Sequence, residues 1–255
     1  MTKKKLLETT AALPEPTLTE KLMTSVAPII LVGGDKGGVG KSMITRALID
    51  WMIEAGFSPV IVDADSRNAD VMRAFKERAD GFLIDLRLKE GWVEFGNLVG
   101  RTAPERPMVI NTPAGIGQMM NAKGDLLKRY RRPVVLIWPI NREIDALWLL
   151  KQAIENFGQH LADVIVLKNL FFGEPKKFSL WERSEIRVTV EKLGGVLDHF
   201  PDLIDLVTVE MNNEMLSPLA ALKHEKFEFG ERIELEDWLD QVRALFDRLR
   251  PKMGL

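Results

Sequence analysis

"VGGDKGGVGKSMITRAL" (Val32–Leu48) gathers glycines at positions 33, 34, 37, 38 and 40 and two lysines, Lys36 and Lys41, five residues apart. It continues the apolar run "APIILVG" and leads directly into a helical pattern. A strand, a Gly-rich loop and a helix in that order put backbone N–H groups around a chain of phosphates. The helix N-terminus adds partial positive charge, Lys41 adds a full one, and the Ser42 hydroxyl suits Mg2+. The glycines are required because side chains would block close backbone approach and a positive φ. Asp35 stands where such loops usually begin with a glycine. The plainer alternative, a tight glycine turn with an exposed lysine, leaves the flanking strand and helix without a reason.

Outward from this loop, short apolar runs alternate with helix-length patterns. The strand-like runs are 28–33, 58–65, 106–113, 132–139, 163–169 and, more weakly, 194–200. Each is nearly continuous in apolar character, as in strands buried on both faces of a parallel sheet. The helical patterns are Ser42–Ala55, 69–79, 90–99, Glu143–Phe157, Trp181–Lys192 and Glu234–Leu249. The alternation predicts an α/β fold, a single doubly wound, mostly parallel sheet with helices on both faces. Residues 1–27, charged, Thr-rich and broken by Pro14 and Pro16, are expected to form an N-terminal extension, with a short helix near Leu18–Met23. Residues 28–255 are expected to form the domain.

With 255 residues and a net charge of −2, the chain has no global attraction to nucleic acid or anionic lipid, so such binding requires a local patch. The absence of cysteine excludes disulfides, thiolate metal sites and iron–sulfur clusters. The apolar run 133–140 is too short to span a bilayer, and the N-terminus lacks the apolar core of a secretory signal. The expectation is a cytoplasmic protein.

"KGGVGKS" (Lys36–Ser42) resembles the deviant P-loop of the ParA/MinD family of ATPases, in which the early lysine is the signature residue. The resemblance implies that Lys36 reaches the phosphates bound by the partner subunit of a nucleotide-sandwich dimer, while Lys41 serves its own. "VIVDADS" (61–66 with Val60 before it) is similar to the family's D-x-D switch I, implying that Asp65 positions the attacking water and that Asp63 lies near the metal. "MVINTPAGIG" falls at switch II, with Pro113 and Gly115 in place and Asn111 where the family has an aspartate. Asn111 keeps an amide oxygen for a Mg2+-bound water but loses a full negative charge, which implies a slow cycle. At the ends of two later strands, Asn169 and Pro201 resemble the residues that contact and close over adenine; both are also common strand-end residues.

The resemblance therefore implies Mg2+ and ATP as cofactors. Lys36, Lys41 and Asp65 are the catalytic candidates. Gly37, Gly38, Val39, Gly40, Lys41, Ser42, Met43, Asn169 and Pro201 are the nucleotide-binding candidates, and Ser42, Asp63 and Asn111 stand on the metal side.

"KGDLLKRYRR" concentrates Lys123, Lys128, Arg129, Arg131 and Arg132 before a strand. It reads either as a solvated helix end or as a sequence-independent DNA contact doubled by dimerisation. "GEPKKFSLWERSEIR" (Gly173–Arg187) is a post-strand insertion with Lys176, Lys177, Phe178 and Trp181, a candidate partner-binding loop. Leu235, Trp238, Leu239, Val242, Leu245, Phe246 and Leu249 form an apolar stripe at helical spacing. MinD-like proteins end in a basic membrane-binding helix, but here the opposite face carries Glu234, Glu236, Asp237, Asp240 and Asp247. The stripe is therefore expected to pack on the domain and not on a membrane.

These features predict a ParA-like ATPase that forms an ATP-sandwich dimer to position or load a protein cargo or adaptor, in plasmid partition or conjugative mobilisation. An alternative is a nucleotide-gated binding protein with little or no hydrolysis, scaffolding a DNA-processing complex, with Asn111 as the reason. P-loop ligases related to dethiobiotin synthetase have no need of Lys36, and nitrogenase-iron-protein-like reductases need cysteines that the chain lacks.

Overall fold

The computed structural model describes residues 26–34, 37–66, 68–114 and 117–255. Most of the expected 1–27 extension, the Leu18–Met23 helix included, lies outside them, as do Lys36 and Gly115. Seven strands form one sheet: β1 (Ile29–Val32), β2 (Val60–Asp63), β3 (Asp80–Leu83), β4 (Met108–Asn111), β5 (Val134–Ile140), β6 (Asp163–Asn169) and β7 (Val196–Phe200). Their order is β3-β2-β4-β1-β5-β6-β7, and every neighbouring pair is parallel. All strand C-termini therefore open on one edge, where the loop after β1 lies.

The central strands are largely apolar because each feeds two cores. Ile29 and Leu31 point into one cluster with Phe95, Leu150, Phe157 and Trp181. Ile30 and Val32 point into the other with Ile44, Leu48, Phe75, Trp238 and Phe246. On the first face lie α3 (Lys89–Arg101), α4 (Gly117–Arg129), α5 (Ile144–Phe157), α6 (Ser179–Glu182) and α7 (Glu185–Lys192). The second face carries α1 (Lys41–Glu54), α2 (Asp70–Ala74), α8 (Asp205–Asn213), α9 (Pro218–Ala221) and α10 (Phe229–Met253). All seven residues of the C-terminal stripe are buried in that second core, as expected. Among the described residues no helix is long and apolar enough to cross a membrane.

Several local expectations change. The edge strand β3, "DGFL", is mostly exposed and lacks an apolar run, so nothing in its pattern marks it. The helix expected over 69–79 stops at Ala74. The one expected over 181–192 breaks at Ser184, whose hydroxyl accepts from Arg187 N and starts α7 afresh. Within the 173–187 insertion, Phe178 and Trp181 are core residues, so neither is presented to a partner.

The basic cluster is corrected too. Arg132 is buried and donates to the carbonyls of Thr102, Ala103 and Arg106, so it is a structural cation and not a phosphate contact. Lys128, Arg129 and Arg131 are exposed. They sit at and beyond the C-terminal end of α4, a helix of 13 residues and about 20 Å that starts after β4.

Candidate functional site

The loop from Gly33 to Gly40 joins the C-terminal end of β1 to α1, and Gly40 is the residue that turns the chain into the helix. It is left-handed, with φ 96°, and its carbonyl accepts the first helical bond from Ile44. A Cβ there would lie 2.3 Å from Asn169 Nδ2. Asn169 reaches in because it donates to Val39 O at 3.0 Å while its own Oδ1 accepts from Phe171 N. The end of β6 is thereby tied to the loop. Gly37 and Gly38 meet nothing within 4 Å at the Cβ position and stay open. The Lys41 stem folds back over Gly34. The first turn of α1 holds no acidic side chain, so its N–H groups and Lys41 present positive potential to the loop.

These residues line one cavity of about 730 Å3. Gly37, Gly38, Gly40, Lys41, Ser42, Met43, Asp65, Asn111, Asn169 and Pro201 all contribute to its wall. Val39 is buried beneath the loop and does not. At the far end stand Phe200, Pro201, Leu203 and one face of α8, with Asp205, Thr208 and Asn212. Trp238 of α10 fixes that end by donating to Pro201 O at 3.0 Å, its ring edge-on to Phe200. The apolar stripe of the last helix thus shapes the cavity from behind.

Asp63, expected near the metal, makes its contacts inside the protein. It is fully buried at the end of β2 and does not line the cavity. Its Oδ2 accepts from Met72 N at 3.1 Å, and its Oδ1 accepts from Asn111 Nδ2 at 3.1 Å. Burial pushes its carboxyl up to about 6, against the hydrogen bonds from Met72 and Asn111. Asn111 stands between Asp63 and the cavity, with its Oδ1 3.4 Å from Thr45 Oγ1. Asp65, two residues on, does reach the cavity. Beyond it, Ser66 donates to Asp85 and accepts from Arg87, and the Arg87 guanidinium holds the Asp85 carboxyl well below the usual range. This knot anchors the loop that follows Asp65.

No group of three or more His, Asp or Glu among the described residues can hold a metal ion alone. Ser42 and Asn111 nevertheless offer hard oxygen atoms on the wall beside Lys41. That fits Mg2+, which takes one or two protein groups and completes its shell with phosphate oxygens and water.

The sequence reading missed Arg46, Asp205, Thr208 and Asn212. Arg46 carried a signal: it is a charge on the otherwise apolar face of a helix, and such a charge needs buried partners. The α8 residues carried none, because their helix is short and weakly patterned.

No protein-family model matches the chain. It is 37% identical over 223 residues to protein MobD of Acidithiobacillus ferrooxidans, covering 86% of this chain and 96% of that one. Among solved structures it is similar to the MinD cell division protein of Aquifex aeolicus, with a TM-score of 0.52 and 17% identity over 87% of this chain and 97% of that one. It is also similar to a nucleotide-binding protein of Archaeoglobus fulgidus in complex with ADP, with a TM-score of 0.51 and 17% identity over 84% and 97% of the two chains.

Proposed function

The chain belongs to the family of protein MobD and shares the fold of MinD, and we propose that it is a ParA/MinD-type, Mg2+- and ATP-dependent switch that dimerises around nucleotide and serves partition or mobilisation of DNA. One observation carries this reading. A single cavity has a cationic, N–H-rich loop and helix start at one end, Gly37–Met43, and the apolar side chains of Phe200, Pro201 and Leu203 at the other, which suits phosphates and a base.

The division of labour follows from the positions. The N–H groups of the first turn of α1 and the Lys41 ammonium hold the phosphates. Ser42, with Asn111 on the same wall, would hold Mg2+, which supplies charge neutralisation on the phosphates. Asp65 orients the attacking water, and Lys36 crosses to the partner subunit's nucleotide; both roles rest on the family resemblance. Asn169 fixes the loop to the base end through Val39, so base and phosphates are read by one connected surface.

Isothermal titration with MgATP, followed by light scattering, tests the reading. MgATP is expected to bind and to convert monomer to dimer, and a protein that binds no MgATP overturns it. A second reading, dimerisation with little hydrolysis, is favoured by the neutral Asn111 at a position where the family has a carboxylate. Steady-state phosphate release separates the two.

A further inference from the structure

Helix α1 carries two opposite charges one turn apart on its buried face: Arg46, which joins the cavity wall one turn beyond Ser42, and Asp50, which does not line the cavity. Arg46 is 2% exposed. Its guanidinium forks onto the end of α8, with Nη2 donating to Asn212 Oδ1 at 2.5 Å and Nη1 to Leu216 O at 3.0 Å. Asp50 is fully buried and accepts from Ser217 Oγ at 3.1 Å and Leu219 N at 2.8 Å, and it pairs with Arg78 at 2.8 Å. The four residues from Glu214 to Ser217 between α8 and α9 are thus gripped on both sides by the helix that begins at Lys41. A cation at the C-terminal end of α8 also complements the helix dipole.

A second observation lies inside the grip. Met215 has φ 53°, a left-handed conformation unusual for a residue other than glycine. Such a conformation persists where its surroundings over-determine it. Here Leu216 N donates to Met211 O, Leu216 O accepts from Arg46, and Ser217 is held by Asp50. The face of α8 that this linkage orients is the one lining the far end of the cavity, through Asp205, Thr208 and Asn212. The Arg46 Nε is buried without a partner among the described residues, so burying this guanidinium is not an optimised stability device.

We propose that Arg46 is a positioning residue for the nucleoside half of the ligand: it registers the α8 wall on the phosphate-binding helix and so sets which base the cavity accepts. The proposal rests on the nucleotide reading above. It implies that base and phosphate affinities separate at this residue. Removing the fork lets α8 drift and loosens the base end. The cradle at Gly37–Met43 is built without Arg46 and keeps its hold on a bare phosphate chain.

The experiment compares binding of MgATP, MgGTP and inorganic tripolyphosphate to the full chain and to Arg46→Met and Arg46→Lys, with thermal melting as the folding control. For Arg46→Met, MgATP is expected to bind about tenfold more weakly, the worth of one charge-assisted hydrogen bond. Its preference between ATP and GTP should shrink, and tripolyphosphate affinity should stay unchanged. Arg46→Lys, which keeps the charge but loses the fork, is expected to recover part of the ATP affinity. If Arg46→Met does not fold, Arg46→Lys alone carries the comparison: its ATP affinity should fall while its tripolyphosphate affinity holds. Equal loss of ATP and tripolyphosphate in a folded variant, or no loss of either, overturns the proposal and leaves the nucleotide reading intact. An unmutated chain that binds neither ligand overturns both.

Discussion

Asn111 donates its amide N–H to Asp63 across 3.1 Å, at the point where β4 and β2 hold the two residues in register. An aspartate at 111 would set two carboxylates side by side in a buried space. Asn111→Asp is therefore expected to destabilise the nucleotide-free protein by about 3 kcal/mol at neutral pH, through a lost hydrogen bond and like-charge contact. MgATP, which binds only the folded state, should restore much of that loss and raise ATP turnover several-fold. Melting curves with and without MgATP, together with phosphate release, check this; an unchanged melting temperature without ligand would refute it.

The same pair gives a pH dependence. The folded-state value of Asp63, about 6, lies above the ordinary Asp value near 3.8, so the folded protein holds a proton that the unfolded chain has released. The favourable contribution is complete below the ordinary value and declines as pH rises toward 6. Above that the group carries a constant penalty of about 3 kcal/mol. Asp63→Asn is expected to flatten this decline in denaturant midpoints measured without nucleotide or metal. A variant that tracks the parent across that window sinks the assignment.

Lys41→Ala is expected to abolish nucleotide binding without unfolding the chain, because Lys41 is only partly buried at the cavity wall. Lys36→Ala should keep monomer binding and lose ATP-dependent dimerisation. Titration calorimetry and light scattering separate the two; a Lys36→Ala protein that still dimerises removes the cross-subunit role.

At Gly40 the constraint is steric and conformational together. Gly40→Ala puts a Cβ 2.3 Å from Asn169 Nδ2 at a backbone with φ 96°. It is expected to cost about 2–4 kcal/mol and to weaken nucleotide binding, since the Asn169–Val39 bond must break. Adding Asn169→Ala should recover the steric part. A double-mutant cycle with no coupling between the two positions would contradict the contact.

Arg132→Ala is expected to lower stability by about 2–3 kcal/mol, because three backbone carbonyls lose a buried charged donor. Any DNA retention by the protein should be unaffected. Urea denaturation and a filter-binding assay read the two effects, and reduced DNA binding at unchanged stability would return Arg132 to the basic patch.

The parallel α/β sheet, the loop after β1 and the burial of the last helix were legible in the amino-acid sequence alone. Each of these is written in consecutive residues: continuous apolar runs, glycines next to a helix start, a stripe at helical spacing. Lys41, Ser42, Asp65, Asn169 and Pro201, singled out by the loop and by the family resemblance, line one cavity, because strand ends in a parallel sheet converge on one edge. What meets across that edge is set by packing between segments far apart in the chain. β3 escaped notice because an edge strand is half-solvated and needs no apolar run. Phe178 and Trp181 read as an exposed loop because nothing local shows that α5 and β6 leave a space for them. Asp63 turned away from the cavity toward Asn111, 48 residues on, and Arg46 found its acceptors 166 and 170 residues away. Backbone pattern is a local property of the chain. The partner of a buried charge is fixed by which distant segments the packing of two cores brings within hydrogen-bond reach, and no spacing in the sequence encodes that distance.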